Sequence, residues 1–134
     1  MKAIVIHAYG GPEEMVLEDV ALPEPGPGEA RIRLAFAGVN YIDVYMRNGL
    51  YKRSDTYAQS LPLSLGMEGS GVVDAVGPGV EDLPVGTPVA WCLERGSYAE
   101  YAVVPAWKLV KVPDRICLEA AAALQLQGST AYSA

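Results

Sequence analysis

The sequence predicts a mainly β domain with short helices, organised as a small barrel or sandwich. Short runs rich in β-branched and aromatic residues alternate with Gly and Pro turn signals over residues 2–112, a spacing typical of such folds. Residues 31–37 alternate between polar and apolar side chains, as a half-buried strand does. A run of strong helix formers appears only after Pro113, over residues 118–125. These observations favour one β domain followed by a helix.

The predicted elements follow one another along the chain. A first strand ends at a Gly-Gly-Pro turn, and a stiff Pro-rich connector over residues 22–29 separates its return strand from the rest. The polar, patternless stretch 52–60 is predicted to be a mobile loop. The predicted strands cover residues 2–7, 16–20, 31–37, 69–76, 83–91, 97–104 and 107–112.

Composition excludes several classes of function. The 134 residues carry 10 Lys and Arg against 16 Asp and Glu, a formal net charge of −6. This balance argues against binding to nucleic acid or to an acidic membrane, because both begin with a basic patch. No apolar run approaches the ~20 residues that cross a bilayer, and the N-terminus does not resemble a signal peptide. The two cysteines are far apart, so we expect reduced thiols in a cytoplasmic protein.

The stretch over residues 38–51 predicts a turn followed by a short helix. Asn40 is a good N-cap, and Gly49 is a good stop. Asp43 and Arg47 are four residues apart and are predicted to pair on one face, while Tyr41 and Tyr45 share another. By itself this pattern also fits a surface helix that packs on the barrel through its tyrosines.

A second stretch, residues 61–77, carries the motif Gly66-Met67-Glu68-Gly69-Ser70-Gly71. Together the two stretches resemble the N-terminal, catalytic half of zinc-independent quinone oxidoreductases of the medium-chain dehydrogenase/reductase superfamily. Further similarity lies at the N-terminal Met-Lys-Ala, at residues 96–101 and at residues 121–131. The resemblance implies a GroES-like, partly open β-barrel over residues 1–116. Residues 117–134 would then begin the helix that crosses to a Rossmann domain absent from this chain.

The same resemblance bears on metal binding. Zinc-dependent members of the superfamily place a cysteine where Asn40 stands and a histidine where Met67 stands. An amide and a thioether are poor zinc ligands, and His7 is the chain's single histidine. We therefore expect no metal site. The glycines of 66–71 precede a strand instead of joining a strand to a helix, so they do not form a dinucleotide-binding fingerprint.

The resemblance also supplies candidate site residues. Catalytic roles are implied for Asn40, Asp43, Tyr45 and Tyr51, in a pocket for a quinone or enone. Asn40, Gln127 and Thr130 are implied to approach the nicotinamide end of NADPH, the last two from the start of the crossing helix. The alternatives are a pairing with Arg47 for Asp43, a packed helix face for Tyr45, and helix capping for Gln127 and Thr130.

Two further residues, Glu68 and Cys117, are interpreted as structural. Glu68 should be buried, so it needs a hydrogen-bonding partner or a raised pKa. Cys117 stands where the family usually has a polar N-cap, and a weak cap is favoured over a reactive thiol.

The predicted function is that of a catalytic-domain fragment from an NADPH-dependent, metal-free quinone or enone reductase. We expect the isolated chain to be inactive, because it would supply half of a cleft. The alternative is a non-catalytic GroES-like binding or structural module. Residues 121–132 should expose apolar surface or find a substitute partner, and an exposed apolar patch predicts self-association into a homo-oligomer.

Overall fold

A computed structural model describes residues 1–51 and 60–133. In this part of the chain, short strands precede and surround a short helix, and a longer helix follows them. The strands are β1 (Lys2–Ile6), β2 (Val16–Asp19), β3 (Glu29–Ala37), β4 (Leu63–Ser64), β5 (Glu68–Val76), β6 (Pro88–Cys92), β7 (Tyr101–Pro105) and β8 (Val110–Lys111). The α-helices are α1 (Tyr41–Asn48) and α2 (Leu118–Ser133), and 3-10 turns lie at Pro12–Glu14 and Ala106–Lys108.

The strands form two antiparallel sheets. The smaller has the order β2-β1-β4, and the larger has the order β7-β3-β5-β6-β8. The sheets are joined where Ala3 bridges Ala99 and where the Ile4 N–H donates to the Tyr98 carbonyl at 2.8 Å. Within residues 1–51 and 60–133 the sheets do not close into a complete cylinder, which confirms the expected partly open barrel.

The main core lies under the five-stranded sheet. Ala30 and Ile32 are fully buried while Arg33 is exposed, as the alternation in β3 predicts. Trp91 of β6 and Val104 of β7 are also fully buried and pack in the same cluster. A second cluster, centred on Ile6, Met46, Leu63, Leu65 and Met67, joins the small sheet to α1.

Strand β5 lies at the centre of the large sheet, between β3 and β6, and it also packs against α2. A Cβ on Gly71 would lie 2.0 Å from the Arg33 carbonyl oxygen, so close pairing of β5 with β3 requires glycine there. Glu68 and Ser70 alternate with the glycines, and both side chains bond to the backbone of α2. The two-residue period of the strand therefore directs its polar residues towards the second helix.

Three predicted strands begin too early. The strand predicted over 83–91 begins at Pro88, because the chain first turns through Gly86 at φ +96°. The strand predicted over 97–104 begins at Tyr101. The segment 107–112 opens in the 3-10 turn Ala106–Lys108 and contains only two strand residues. Residues 52–59 of the predicted loop 52–60 lie outside the described residues.

Helix α2 is longer than the predicted 118–125. The Ala120 N–H donates to the Cys117 sulfur at 3.5 Å, which confirms the capping contact, while the expectation of an unreactive thiol stays a prediction. The expectation that 121–132 exposes its apolar side chains is wrong for Ala121 and Ala122, which are buried where α2 packs against β3, β5 and β6. Leu124 and Tyr132 are exposed. Neither helix in residues 1–51 and 60–133 has the length and hydropathy that a bilayer span needs.

Candidate functional site

The site begins at the N-terminus of α1. Asn40 is the N-cap residue, with extended backbone at φ −135° and ψ 159°, and its N–H donates to Asp43 Oδ2 at 3.0 Å. A carboxylate that reaches back from the third helical position satisfies a donor outside the helical hydrogen-bond ladder. Gly49 ends the helix at φ 86°. Both predicted ends of α1 are confirmed.

Asp43 is buried beneath this helix start. Its Oδ2 atom also accepts a hydrogen bond from the Tyr98 hydroxyl at 2.7 Å. Burial raises the pKa of Asp43, and the hydrogen bonds from Tyr98 and Asn40 partly offset that rise. Burial and the neighbouring Asp43 also raise the pKa of Tyr98. The predicted pairing of Asp43 with Arg47 is wrong, since the Arg47 side chain donates to the Gly10 carbonyl instead.

Glu68 lies on the other side of Asn40. It is 2% exposed, so the expected burial is confirmed. The Asn40 Nδ2 atom donates to Glu68 Oε1 at 2.9 Å, and the Leu126 N–H of α2 donates to Glu68 Oε2 at 2.5 Å. Asn40 therefore lies between two buried carboxylates and donates one hydrogen bond to each.

A cleft of about 280 Å³ opens beside this network. Asn40 and Gln127 both line it, although one precedes α1 and the other belongs to α2. The remaining lining comes from Val39, Tyr41 and Val44. Two of the predicted cofactor-binding residues therefore meet at one cleft.

Helix α2 begins at Leu118, so Gln127 and Thr130 lie in its second half and not at its start. For the same reason neither residue caps the helix. Gln127 is exposed at the cleft. The Thr130 hydroxyl donates to the Leu126 carbonyl at 2.9 Å, a bond within the helix. Gln127 therefore lines the cleft, whereas the Thr130 hydroxyl is used in a bond within the helix.

The tyrosines in and just after α1 differ in their exposure and packing. Tyr41 is 80% exposed, so the alternative in which α1 packs on the barrel through its tyrosines is wrong for Tyr41. Tyr45 and Tyr51 meet edge to face, with ring centroids 6.0 Å apart. Tyr51 also packs against the apolar cluster that contains Met46. The catalytic roles predicted for Asn40, Tyr45, Tyr51 and the buried Asp43 stay predictions.

Several residues of the site escaped prediction from the sequence. The rim residues Val39, Tyr41 and Val44 surround Asn40 in sequence, so their proximity to Asn40 was the available signal. Tyr98 lies far away in sequence, and only the requirement that a buried carboxylate be hydrogen-bonded pointed to such a donor. Among the residues that the structure describes, no three His, Cys, Asp or Glu side chains converge in a way that could hold a metal ion.

Comparison with known proteins places this geometry in a family. The chain is 45% identical over 130 residues to a quinone oxidoreductase of Pseudomonas aeruginosa and 42% identical over 132 residues to a 2-haloacrylate reductase of a Burkholderia species. Each alignment covers 96% of this chain, but only 38% of the first relative and 39% of the second. The chain thus spans about two fifths of the length of these relatives.

The fold comparison agrees. The crystal structure of Escherichia coli quinone oxidoreductase complexed with NADPH superposes with a TM-score of 0.91 at 34% identity, covering 98% of this chain and 39% of that one. Residues 26–114 match the alcohol dehydrogenase GroES-like domain. The chain therefore belongs to the alcohol dehydrogenase GroES-like domain family, within the medium-chain dehydrogenase/reductase superfamily.

Proposed function

We propose that this chain is the substrate-side domain of an NADPH-dependent quinone or enone reductase. The observation that carries the proposal is the cleft that Asn40 and Gln127 line together. Two amide groups at one small cleft offer both hydrogen-bond donors and acceptors without a net charge. Such a pair suits neutral partners that carry carbonyl or carboxamide groups.

The volume of the cleft is that of part of a small-molecule site. At about 280 Å³ it lies just below the ~300–1,000 Å³ typical of small-molecule sites, so the chain offers part of a larger site. NADPH would supply a hydride, which is two electrons and one proton, to the acceptor. Asn40 and Gln127 would hold the carboxamide end of its nicotinamide by hydrogen bonds, and the cofactor's remaining contacts would come from outside this chain.

The rim suggests the class of acceptor. Val39 and Tyr41 are 82% and 80% exposed beside the cleft, so they present apolar and aromatic surface to a ligand. A flat conjugated carbonyl compound can stack on such a ring, and the phenol can donate to its oxygen. The names of the Pseudomonas and Burkholderia relatives, a quinone oxidoreductase and a 2-haloacrylate reductase, agree with this class.

The proposed partner is a nucleotide-binding domain that continues from α2. In this division residues 1–116 form the substrate domain, and 117–134 begin the crossing helix. The exposed side chains Leu124 and Tyr132 would then contact that domain. Without it, we expect the same side chains to drive self-association of the isolated chain. A cytoplasmic location is part of the proposal, and the free thiols of Cys92 and Cys117 are consistent with it.

The test joins this chain to the part of the Pseudomonas aeruginosa relative that lies beyond the matched residues. NADPH oxidation is followed with a simple quinone, for the joined protein and for the isolated chain. We expect quinone-dependent oxidation only in the joined protein. Asn40→Ala should lower kcat/KM by about 10- to 100-fold, because a misplaced reactant loses that much.

Asn48→Ala is the matched control, since it changes the same residue type at the exposed far end of α1. It should leave kcat/KM unchanged. A joined protein that folds and binds NADPH but reduces neither quinones nor enones would refute the proposed activity. The non-catalytic binding module would then become the better interpretation.

A further inference from the structure

The Glu68 carboxylate joins two parts of the chain that meet at the cleft. One oxygen accepts from the Asn40 side chain at 2.9 Å, and the other accepts from the Leu126 N–H at 2.5 Å. Both oxygens act as acceptors for donors on different elements, the residue that opens α1 and the middle of α2. Hydrogen bonds to a carboxylate are shorter and stronger than bonds between neutral groups. This one buried side chain therefore fixes a distance between the two elements.

The backbone around Glu68 is built to hold the carboxylate in this position. The Gly38 N–H donates to the Glu68 carbonyl at 2.9 Å, which aligns the end of β3 with the start of β5. A Cβ on Gly38 would lie 2.0 Å from Glu68 Oε1. Any side chain at position 38 would displace the carboxylate, so glycine there preserves the bond to Asn40.

The two partners of Glu68 lead directly to the cleft. Asn40 lines the cleft, and Leu126 immediately precedes Gln127, the other polar lining residue. Resting on the function proposed above, we propose that Glu68 is a positioning residue: it sets the spacing and orientation of the Asn40 and Gln127 amides across the cleft. Glu68 does this from beneath the site and touches neither ligand.

Ser70 provides a control that distinguishes positioning of the cleft residues from attachment of α2 to β5. Ser70 lies on the same face of β5, is fully buried, and donates to the Leu118 carbonyl of α2 at 2.5 Å. It thus ties the same strand to the same helix, at the far end from the cleft. Ser70→Ala removes this one hydrogen bond between β5 and α2 and leaves the partners of Glu68, Asn40 and Leu126, unchanged. It is therefore the matched control.

Glu68→Gln is the informative variant because it keeps the size of the side chain. A glutamine has one acceptor oxygen and an NH2 group that cannot accept. With its NH2 group towards Leu126 it loses the bond to that N–H, and with its NH2 group towards Asn40 the Asn40 amide must rotate to accept through Oδ1, which exchanges the groups that Asn40 presents. The Asn40 and Gln127 amides should then change their relative position, even though β5 and its packing are retained.

A double-mutant cycle on kcat/KM in the joined protein tests whether Glu68 acts through Asn40. We expect Glu68→Gln to lower kcat/KM by about tenfold or more, and to lower it no further in an Asn40→Ala background. Ser70→Ala should change the midpoint of thermal unfolding but leave kcat/KM within about twofold. Equal losses from Ser70→Ala and Glu68→Gln, or additive losses with Asn40→Ala, would overturn the proposal.

Nuclear magnetic resonance on the 134-residue chain separates this proposal from the proposed function, because it requires no activity. The Leu126 amide proton and one Asn40 side-chain proton should resonate downfield, as protons bonded to a carboxylate do. Both should move upfield in Glu68→Gln and stay in place in Ser70→Ala. Unchanged resonances in Glu68→Gln would refute the positioning role, whether or not the joined protein reduces quinones.

If Glu68→Gln does not fold, the link is measured from its other end. Asn40→Ala removes one partner of the carboxylate, so the Leu126 amide resonance should shift. Asn48→Ala should leave that resonance unchanged. A Leu126 resonance that does not respond to Asn40→Ala would show that Glu68 does not couple the two elements.

Discussion

Tyr98 donates a hydrogen bond of 2.7 Å to Asp43, a carboxylate that is only 5% exposed. The bond crosses from the segment before β7 to α1 and so holds the helix start on the barrel. Tyr98→Phe removes this donor and keeps the ring. Because a buried carboxylate then loses one of its partners, we expect the free energy of unfolding to fall by about 1–3 kcal/mol, measured by urea denaturation.

Tyr41→Phe provides the control for Tyr98→Phe. Tyr41 is 80% exposed, so removing its hydroxyl should change the free energy of unfolding by no more than about 0.5 kcal/mol. If the two variants were equally stable, the Tyr98–Asp43 bond would contribute nothing measurable to the attachment of α1.

The ionisation of Asp43 should make stability depend on pH. Burial raises the pKa of this carboxyl in the folded state above the value of about 3.9 in an unfolded chain. Between those two values the folded state holds more protons, so stability falls as pH rises. Asp43→Asn removes the titration, and its oxygen can still accept both bonds that reach Oδ2.

The measurement is the difference in unfolding free energy between the wild type and Asp43→Asn, from about pH 3.9 up through the folded-state pKa of Asp43. The wild type should be relatively most stable at the acidic end and lose that advantage as pH rises through the folded-state pKa. The Tyr98 bond lowers the pKa of Asp43, so in a Tyr98→Phe background the decline should extend to higher pH. A difference that grows with pH would contradict the raised pKa.

The sequence predicted the elements near the site because their signals are local. Asn40 and Gly49 marked the two ends of α1, and alternation in β3 placed Ile32 inside and Arg33 outside. The family resemblance added the barrel and named two residues that meet at the cleft, Asn40 and Gln127.

What sequence reasoning missed depends on contacts between distant segments. The spacing of Asp43 and Arg47 suggested an exposed helical pair, but tertiary packing buries Asp43 against Tyr98. Such a partner lies in another element and leaves no periodic signal along the chain. The double role of Glu68 was hidden for the same reason, since its two donors come from distant parts of the sequence.

Two glycines of the chain should respond in opposite directions to alanine. In Gly71→Ala the new Cβ would lie 2.0 Å from the Arg33 carbonyl oxygen, and the resulting displacement of β3 from β5 should cost about 1–3 kcal/mol. Gly128 lies on an exposed part of α2, where a Cβ would meet no atom within 4 Å. Gly128→Ala should stabilise the chain by about 0.5–1 kcal/mol.

Thermal or urea denaturation of the two glycine variants checks both signs at once. A stabilised Gly71→Ala would show that β3 and β5 can separate at little cost. A destabilised Gly128→Ala would show that α2 is not regular at this position.

Arg31 anchors the connector and β5 to β3 from the solvent side of the sheet. Its Nε atom donates to Asp74 at 2.7 Å and its Nη1 atom donates to the Pro23 carbonyl at 3.2 Å. Its side chain is 13% exposed, and its guanidinium carbon lies 5.9 Å from the Tyr101 ring centroid. These contacts use the planar fork of arginine, which a lysine ammonium cannot reproduce.

Arg31→Lys should therefore lower the free energy of unfolding by about 1 kcal/mol, a value reduced from the range for buried charged bonds because Asp74 is partly exposed. Arg33→Lys makes the same change at an exposed position of the same strand and should shift stability by less than about 0.5 kcal/mol. If the loss comes from the Asp74 bond, it should shrink in an Asp74→Ala background. A full loss in that background would assign the effect to the remaining contacts, which are those with the Pro23 carbonyl, the Glu24 carboxylate and the Tyr101 ring.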